Sequence, residues 1–148
     1  MPTAAKLVAA IIFAGVAWLA ADQYVPLMPD GRPAGVLREV SAIIGIMCGW
    51  VIMGGFLMKP RGRIESMGTG VRTSLTIAFF VLLIFSVWDM LSRSVQGRYA
   101  GPMEAVLDIF GRALVLGRPL FSPEVVSVLL LGGLIGGALA QFTRTRWK

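Results

Sequence analysis

The sequence predicts an all-α integral membrane protein, with four transmembrane helices and one amphipathic interfacial helix between the third and the fourth. Three observations lead to this fold class. The 148 residues are 56% apolar and only 15% charged, a balance outside the range of ordinary soluble chains. Four apolar stretches are each long enough to cross the hydrocarbon layer of a bilayer. The charges between them sort by side, and the length fits a single membrane domain over residues 1–148.

The sorting of charges predicts the orientation of the four crossings. One side, which we call inner, receives residues 1–6, 59–72 and 143–148, and the other, which we call outer, receives 22–39 and 89–124. The inner side carries eight Lys and Arg against one acid, whereas the outer side carries six against seven. Cytoplasmic loops retain Lys and Arg during insertion, so both termini are expected in the cytoplasm. Membrane anchoring also explains the basic pI of 10.5, so we expect the lipid bilayer, and no nucleic acid, as a partner.

The first two membrane helices are expected over residues 3–21 and 40–58. Lys6 and the apolar run behind it also fit a secretory signal, but we interpret this stretch as the first membrane helix. Residues 40–58 contain no charge and, at ~1.5 Å per residue, span ~28 Å. The turn-forming residues in 26–33 predict a non-helical loop between the two helices.

The last two membrane helices are expected over residues 71–90 and 124–142. The third helix has almost no small residues between 79 and 85, which predicts that it is the most lipid-facing of the set. The fourth begins at Ser122-Pro-Glu124. This tripeptide supplies a capping residue, a proline suited to the first helical turn, and an acid that the helix dipole favours.

Residues 102–117, between the third and fourth spans, are too charged to cross a bilayer but have a helical period. Glu104, Asp108 and Arg112 form one polar stripe. The opposite face is apolar and consists of Met103, Val106, Leu107, Phe110, Ala113 and Leu114. We therefore expect an amphipathic helix in the outer interface or against the bundle. Its polar stripe is a candidate contact for an outer-side partner, and the plainer alternative is a solvated face with a local ion pair.

Small residues at four-residue spacing mark two of the predicted membrane helices. They are Gly45 and Gly49 in the second, and Gly132, Gly133, Gly136 and Gly137 in the fourth. Glycine lets helix backbones approach closely, so we interpret these faces as packing surfaces that meet each other, a second copy or another membrane protein. The alternative is a hinge or path for gating.

Residues that carry chemistry are scarce. The chain has no histidine, which removes the commonest metal ligand and proton shuttle. The lone Cys48 lies in an apolar segment, where a thiol is usually inert. Asp89 is interpreted as an interfacial anchor paired with Arg93 one turn on. No nucleophile motif or phosphate loop occurs, so we predict no catalytic activity, no cofactor and no metal site.

Several stretches, in order along nearly the whole chain, resemble the TrgA family of alphaproteobacterial membrane proteins. They are the opening Met1-Pro-Thr-Ala-Ala-Lys-Leu-Val-Ala-Ala10, then Ala17-Trp-Leu-Ala20, Ile44-Gly45 with Gly49-Trp50 and Met53-Gly54, Arg98-Tyr-Ala-Gly-Pro-Met-Glu-Ala105, and Ser122-Pro-Glu-Val125. That family is associated with resistance to tellurium oxyanions. The resemblance implies a bacterial inner-membrane protein of that type and supplies no active residues.

Three functions stay open at this point. The resemblance implies a non-enzymatic inner-membrane protein associated with tellurite resistance. An accessory or structural subunit would instead dock on a larger membrane complex through the glycine faces and the 102–117 helix. A homo-oligomeric exporter or channel is the third, although no cation lies at mid-membrane to meet an oxyanion.

Overall fold

The computed structural model describes residues 2–27, 34–57, 62–95 and 101–146. These residues contain no strand, and four of their helices are long and apolar enough to cross a membrane, which confirms the predicted fold class. The helices are α1 (Pro2–Tyr24), α2 (Ala34–Cys48), α3 (Gly54–Phe56), α4 (Arg63–Ser94), α5 (Pro102–Gly117) and α6 (Pro123–Arg146). A π-helical segment, Gly49–Met53, joins α2 to α3, so the second span is one continuous rod.

The predicted helix bounds are accurate at α5 and too short elsewhere. The second span begins at Ala34 instead of residue 40, and the third begins at Arg63 instead of 71. Apolar patterning marks the lipid-immersed part of a helix, whereas the backbone hydrogen bonds continue into the interface. The 32 residues of α4 extend ~48 Å, well beyond a hydrocarbon core of ~30 Å.

Two predicted boundaries fall partly outside the described residues. The chain leaves α1 through a 3-10 turn at Val25–Leu27, so the expected non-helical loop over 26–33 begins in a helical turn, and residues 28–33 are not among those described. Residue 58, the predicted end of the second span, is not among them either.

The four spans form an antiparallel bundle in which α1 and α6 are central. Helix α1 packs against α2 on one side and α6 on the other, and α4 packs mainly against α6 and more lightly against α2. Helix α5 lies against α4, outside the bundle. The core has an inner cluster around the fully buried Phe13 and Met53, and an outer cluster around Tyr24 and Val125.

The middle of α4 faces away from the bundle, as its lack of small residues predicts. In the most apolar window of this helix 22% of the residues are buried, against 39% in each of the other three spans. The exposed side chains there are large and apolar: Phe79, Phe80, Leu83 and Ile84. In a membrane this surface is covered by acyl chains, so its exposure needs no protein partner.

Candidate functional site

Helices α4 and α6 cross with their backbones close together. A Cβ atom added at Gly70 would overlap the carbonyl oxygen of Gly133 and would lie 2.9 Å from the Cα atom of Gly137. A Cβ atom at Gly137 would in turn overlap the carbonyl oxygen of Ser66. The two backbones are therefore in direct contact, which only glycine permits. The sequence analysis missed Gly70, which contacts the predicted glycine face from the other helix.

The other predicted glycines contact α1. A Cβ atom at Gly45 would lie 2.5 Å from the carbonyl oxygen of Phe13, and one at Gly49 would lie 2.8 Å from that of Ala9. On α6, Gly132 faces Val16, and Gly136 faces the side chains of Ile12 and Phe13. All six predicted glycines thus face helices of their own chain, and the faces of α2 and α6 meet α1 or α4 rather than each other.

Buried hydroxyl groups accompany the α4–α6 crossing on its inner side. The hydroxyl of Thr73 donates a hydrogen bond to the carbonyl oxygen of Thr69 (2.8 Å), and that of Ser66 donates to Gly62 (3.2 Å). Both side chains are fully buried. Each of these two hydroxyls bonds to a backbone carbonyl four residues back along the chain, which is how a membrane helix accommodates such groups away from water. The buried hydroxyl of Ser74, which faces Gly133 at the same crossing, has no hydrogen-bond partner in the described part of the chain.

At the outer end of the bundle, a three-residue ion cluster connects α4 to α5. The Nε atom of Arg112 lies 3.3 Å from Oδ2 of Asp89 and 3.6 Å from Oδ2 of Asp108. Asp89 is only 6% exposed. The local Asp108–Arg112 pair that the polar stripe predicts is therefore confirmed, and Glu104 on the same stripe is exposed. The side chain of Arg93, the expected partner of Asp89, is not among those described.

The orientation of α5 follows from this cluster. Its polar stripe reaches α4 through Arg112, whereas its apolar side chains are exposed: Met103 (71%), Leu107 (64%), Phe110 (68%) and Leu114 (73%). Water would penalise this arrangement, but a bilayer favours it because the apolar face meets acyl chains and the charges are paired. Helix α5 is amphipathic, as the sequence predicts; its apolar side chains are largely exposed, and Phe110, Ala113 and Leu114 also line the space between α5, α4 and α6.

Two further contacts connect helices at the outer end of the bundle. The hydroxyl of Tyr24, at the end of α1, donates a buried 2.7 Å hydrogen bond to the carbonyl oxygen of Leu116 near the end of α5. Asp22 forms an ion pair with Arg38 at the start of the second span. These partners are far apart in sequence and carry no periodic signal, so sequence analysis had no means of pairing them.

One cavity between the described helices is small and apolar. It has a volume of about 50 Å³ and lies in the outer half, bounded mainly by aliphatic side chains and by Tyr24 and Ser41. Cys48 is buried in the inner cluster beside apolar side chains. Among the described residues, no three His, Cys, Asp or Glu side chains come together as metal ligands would.

Comparison of the chain with family models, with curated proteins and with solved structures finds no match.

Proposed function

We propose that this chain is a small accessory protein of the bacterial inner membrane that has no catalytic activity and raises tolerance to tellurium oxyanions. The tellurite association comes from the resemblance to the TrgA family. The inner membrane and the cytoplasmic location of both termini come from that resemblance and from the sorted charges. The arrangement of α5 at the outer end of the bundle supports a role in which the chain acts through another membrane protein.

The observation that carries the accessory role is the fixed position of α5. The buried Asp89 carboxylate holds Arg112, and Tyr24 holds the carbonyl of Leu116, so α5 is tied to two membrane helices. Its apolar side chains are exposed, and so is Glu104 on the polar stripe. A helix held in this way offers a constant surface for another membrane protein.

Transport by the chain itself has less support. The six predicted glycines are occupied by packing within the chain, and the small cavity in the described part of the bundle is lined by apolar side chains with the hydroxyl groups of Tyr24 and Ser41. A dianion at membrane depth would require a cation or a polar path. We therefore propose that another protein, and not this bundle, handles the tellurite itself.

Deletion of the gene for this chain is expected to lower the tellurite concentration that stops growth. Expression of the chain from a plasmid should restore the original concentration. The Asp89→Ala variant should restore it poorly, because α5 loses its attachment to α4. Glu124→Gln, at an exposed position at the start of α6, is the matched control and should restore it fully. Growth inhibition and cell-associated tellurium are measured together. Lower tellurium in the complemented strain would contradict the accessory role and indicate export, and unchanged tolerance would reject the tellurite association.

The proposed topology has a separate test. Reporters fused after Lys148 are expected to be active when they require the cytoplasm and inactive when they require the periplasm, because eight of the fourteen basic residues lie on the inner side. A fusion within the 96–100 segment should give the opposite result. Periplasmic activity after Lys148 would show that the orientation is reversed.

A further inference from the structure

An open groove runs along the outer half of the bundle, between α4, α5 and α6. Its volume is about 660 Å³, and its lining is almost entirely apolar. Phe79 and Leu82 form the α4 wall, Ala113 and Leu114 the α5 wall, and Leu130 the deep end on α6. From Pro123, where α6 begins, to residue 130 the helix descends ~10 Å, which is most of a half-bilayer of ~15 Å.

The surroundings of the groove are those of lipid. Several of its lining side chains are large, apolar and exposed, including Phe79 (59%), Phe110 (68%) and Phe121 (85%). Phe79 belongs to a helix that is long and apolar enough to span a membrane, and Phe110 belongs to the helix packed against it, so in a bilayer we expect acyl chain rather than water at this part of the groove. Phe121 lies in the same 3-10 turn as Arg118. A groove of this kind is filled by hydrocarbon when the protein is in a bilayer.

One cation marks the water-facing end of the groove. Arg118 lies in the 3-10 turn that joins α5 to α6, is exposed, and belongs to the groove lining. Within the described part of the chain it forms no ion pair, and no acid lines the groove. A guanidinium at the end of an apolar groove can bind the phosphate of a lipid whose acyl chain lies in the groove. Arginine binds phosphate oxygens through paired hydrogen bonds.

We infer that this groove binds one phospholipid of the outer-side leaflet, with an acyl chain between α4, α5 and α6 and the headgroup phosphate on Arg118. The bound acyl chain would fill the groove between α5 and the two membrane helices. It would also enlarge the apolar surface that α5 exposes. This assignment is independent of the tellurite proposal, because it rests on the shape, lining and charge of the groove alone.

Native mass spectrometry of the full chain, with added dioleoyl phosphatidylglycerol, tests the inference. Dioleoylglycerol, which has the same tails and no phosphate, separates the two parts of the site. Arg118→Gln should weaken phosphatidylglycerol binding about tenfold, as loss of a charge-assisted hydrogen bond does, and leave dioleoylglycerol binding unchanged. Ala113→Phe should weaken binding of both lipids by filling the groove. Gly111→Phe, on the same helix where an added Cβ has open space, is the matched control and should change neither.

Wild-type binding by all three variants would overturn the site. A loss with Arg118→Gln alone would also overturn the groove, since it would leave only a surface contact with the headgroup. Photo-crosslinking in native membranes, from a benzophenone amino acid placed at position 114 in the α5 wall of the groove, tests the occupant directly. A lipid adduct supports the inference, whereas a protein adduct would show that a transmembrane partner occupies the groove instead.

Discussion

Replacing Gly70 with alanine is expected to lower the free energy of unfolding by about 1–3 kcal/mol, the usual range for overpacking, and Gly70→Leu by more. The added Cβ atom would meet backbone atoms of Gly133 and Gly137, which cannot move aside as a flexible side chain can. The two helices would have to separate along their most extensive contact. Unfolding by SDS, followed by tryptophan fluorescence in mild detergent, measures the loss.

Gly68 provides the matched control for this substitution. It lies on the same helix, two residues away, and a Cβ atom there has no neighbour within 4 Å. Gly68→Ala should therefore leave the free energy of unfolding within about 0.5 kcal/mol of the original or raise it, since alanine favours helix. Equal stability of the Gly70→Ala and Gly68→Ala proteins would contradict the close crossing of α4 and α6.

Removing the Asp89 carboxylate has the second-largest expected effect. Asp89→Ala leaves Arg112 at the α4–α5 contact with only the longer pair to Asp108, and should cost about 2 kcal/mol. Breaking a fully buried ion pair costs more free energy of unfolding than this. The Arg112 side chain is 20% exposed, however, so water solvates its charge in part and lowers the cost. Amide hydrogen exchange over α5 should accelerate as well, because the helix loses its attachment.

A double-mutant cycle separates this pair from the effects of the single substitutions. Asp89→Ala and Arg112→Met together should cost less than the sum of the two, with a coupling of about 0.5–3 kcal/mol. Asp108→Ala is the matched control, since it removes the longer and more exposed contact of the same arginine, and should cost about 0.3–0.5 kcal/mol. Equal losses for Asp89→Ala and Asp108→Ala would show that Asp89 does not anchor α5.

The helices were predictable because each follows from a pattern within one stretch of sequence. A charge-free run of nineteen residues has to cross the membrane as a helix, since lipid offers no partners for open backbone groups. The predicted bounds of α5 match the observed ones: Pro102 fits its first turn, whereas at Gly117 the backbone stays right-handed and continues into the 3-10 turn. The starts of α2 and α4 were placed too late, because apolar patterning ends at the interface while the helix continues.

The π-helical segment at Gly49–Met53 shows a different limit. Nothing in the composition of this stretch distinguishes it from ordinary α-helix. We attribute its wider, π-helical turn to the packing around it. Gly49 there lies against the backbone of α1, and Met53 at its end is fully buried. A local pattern cannot predict a distortion that packing selects.

The sequence by itself determined the four apolar spans, the amphipathic helix and six of the glycines at which backbones approach, because hydrophobic period, charge and glycine act locally. Only the tertiary structure decided which surfaces meet. It paired Gly70 with Gly133 and Gly137, and it brought Arg112 to Asp89 across 23 positions of chain. It also left most of the apolar face of α5 exposed, because the ion pair lies on the opposite face and holds the helix there. Those choices depend on contacts between distant segments, which no single stretch of sequence contains.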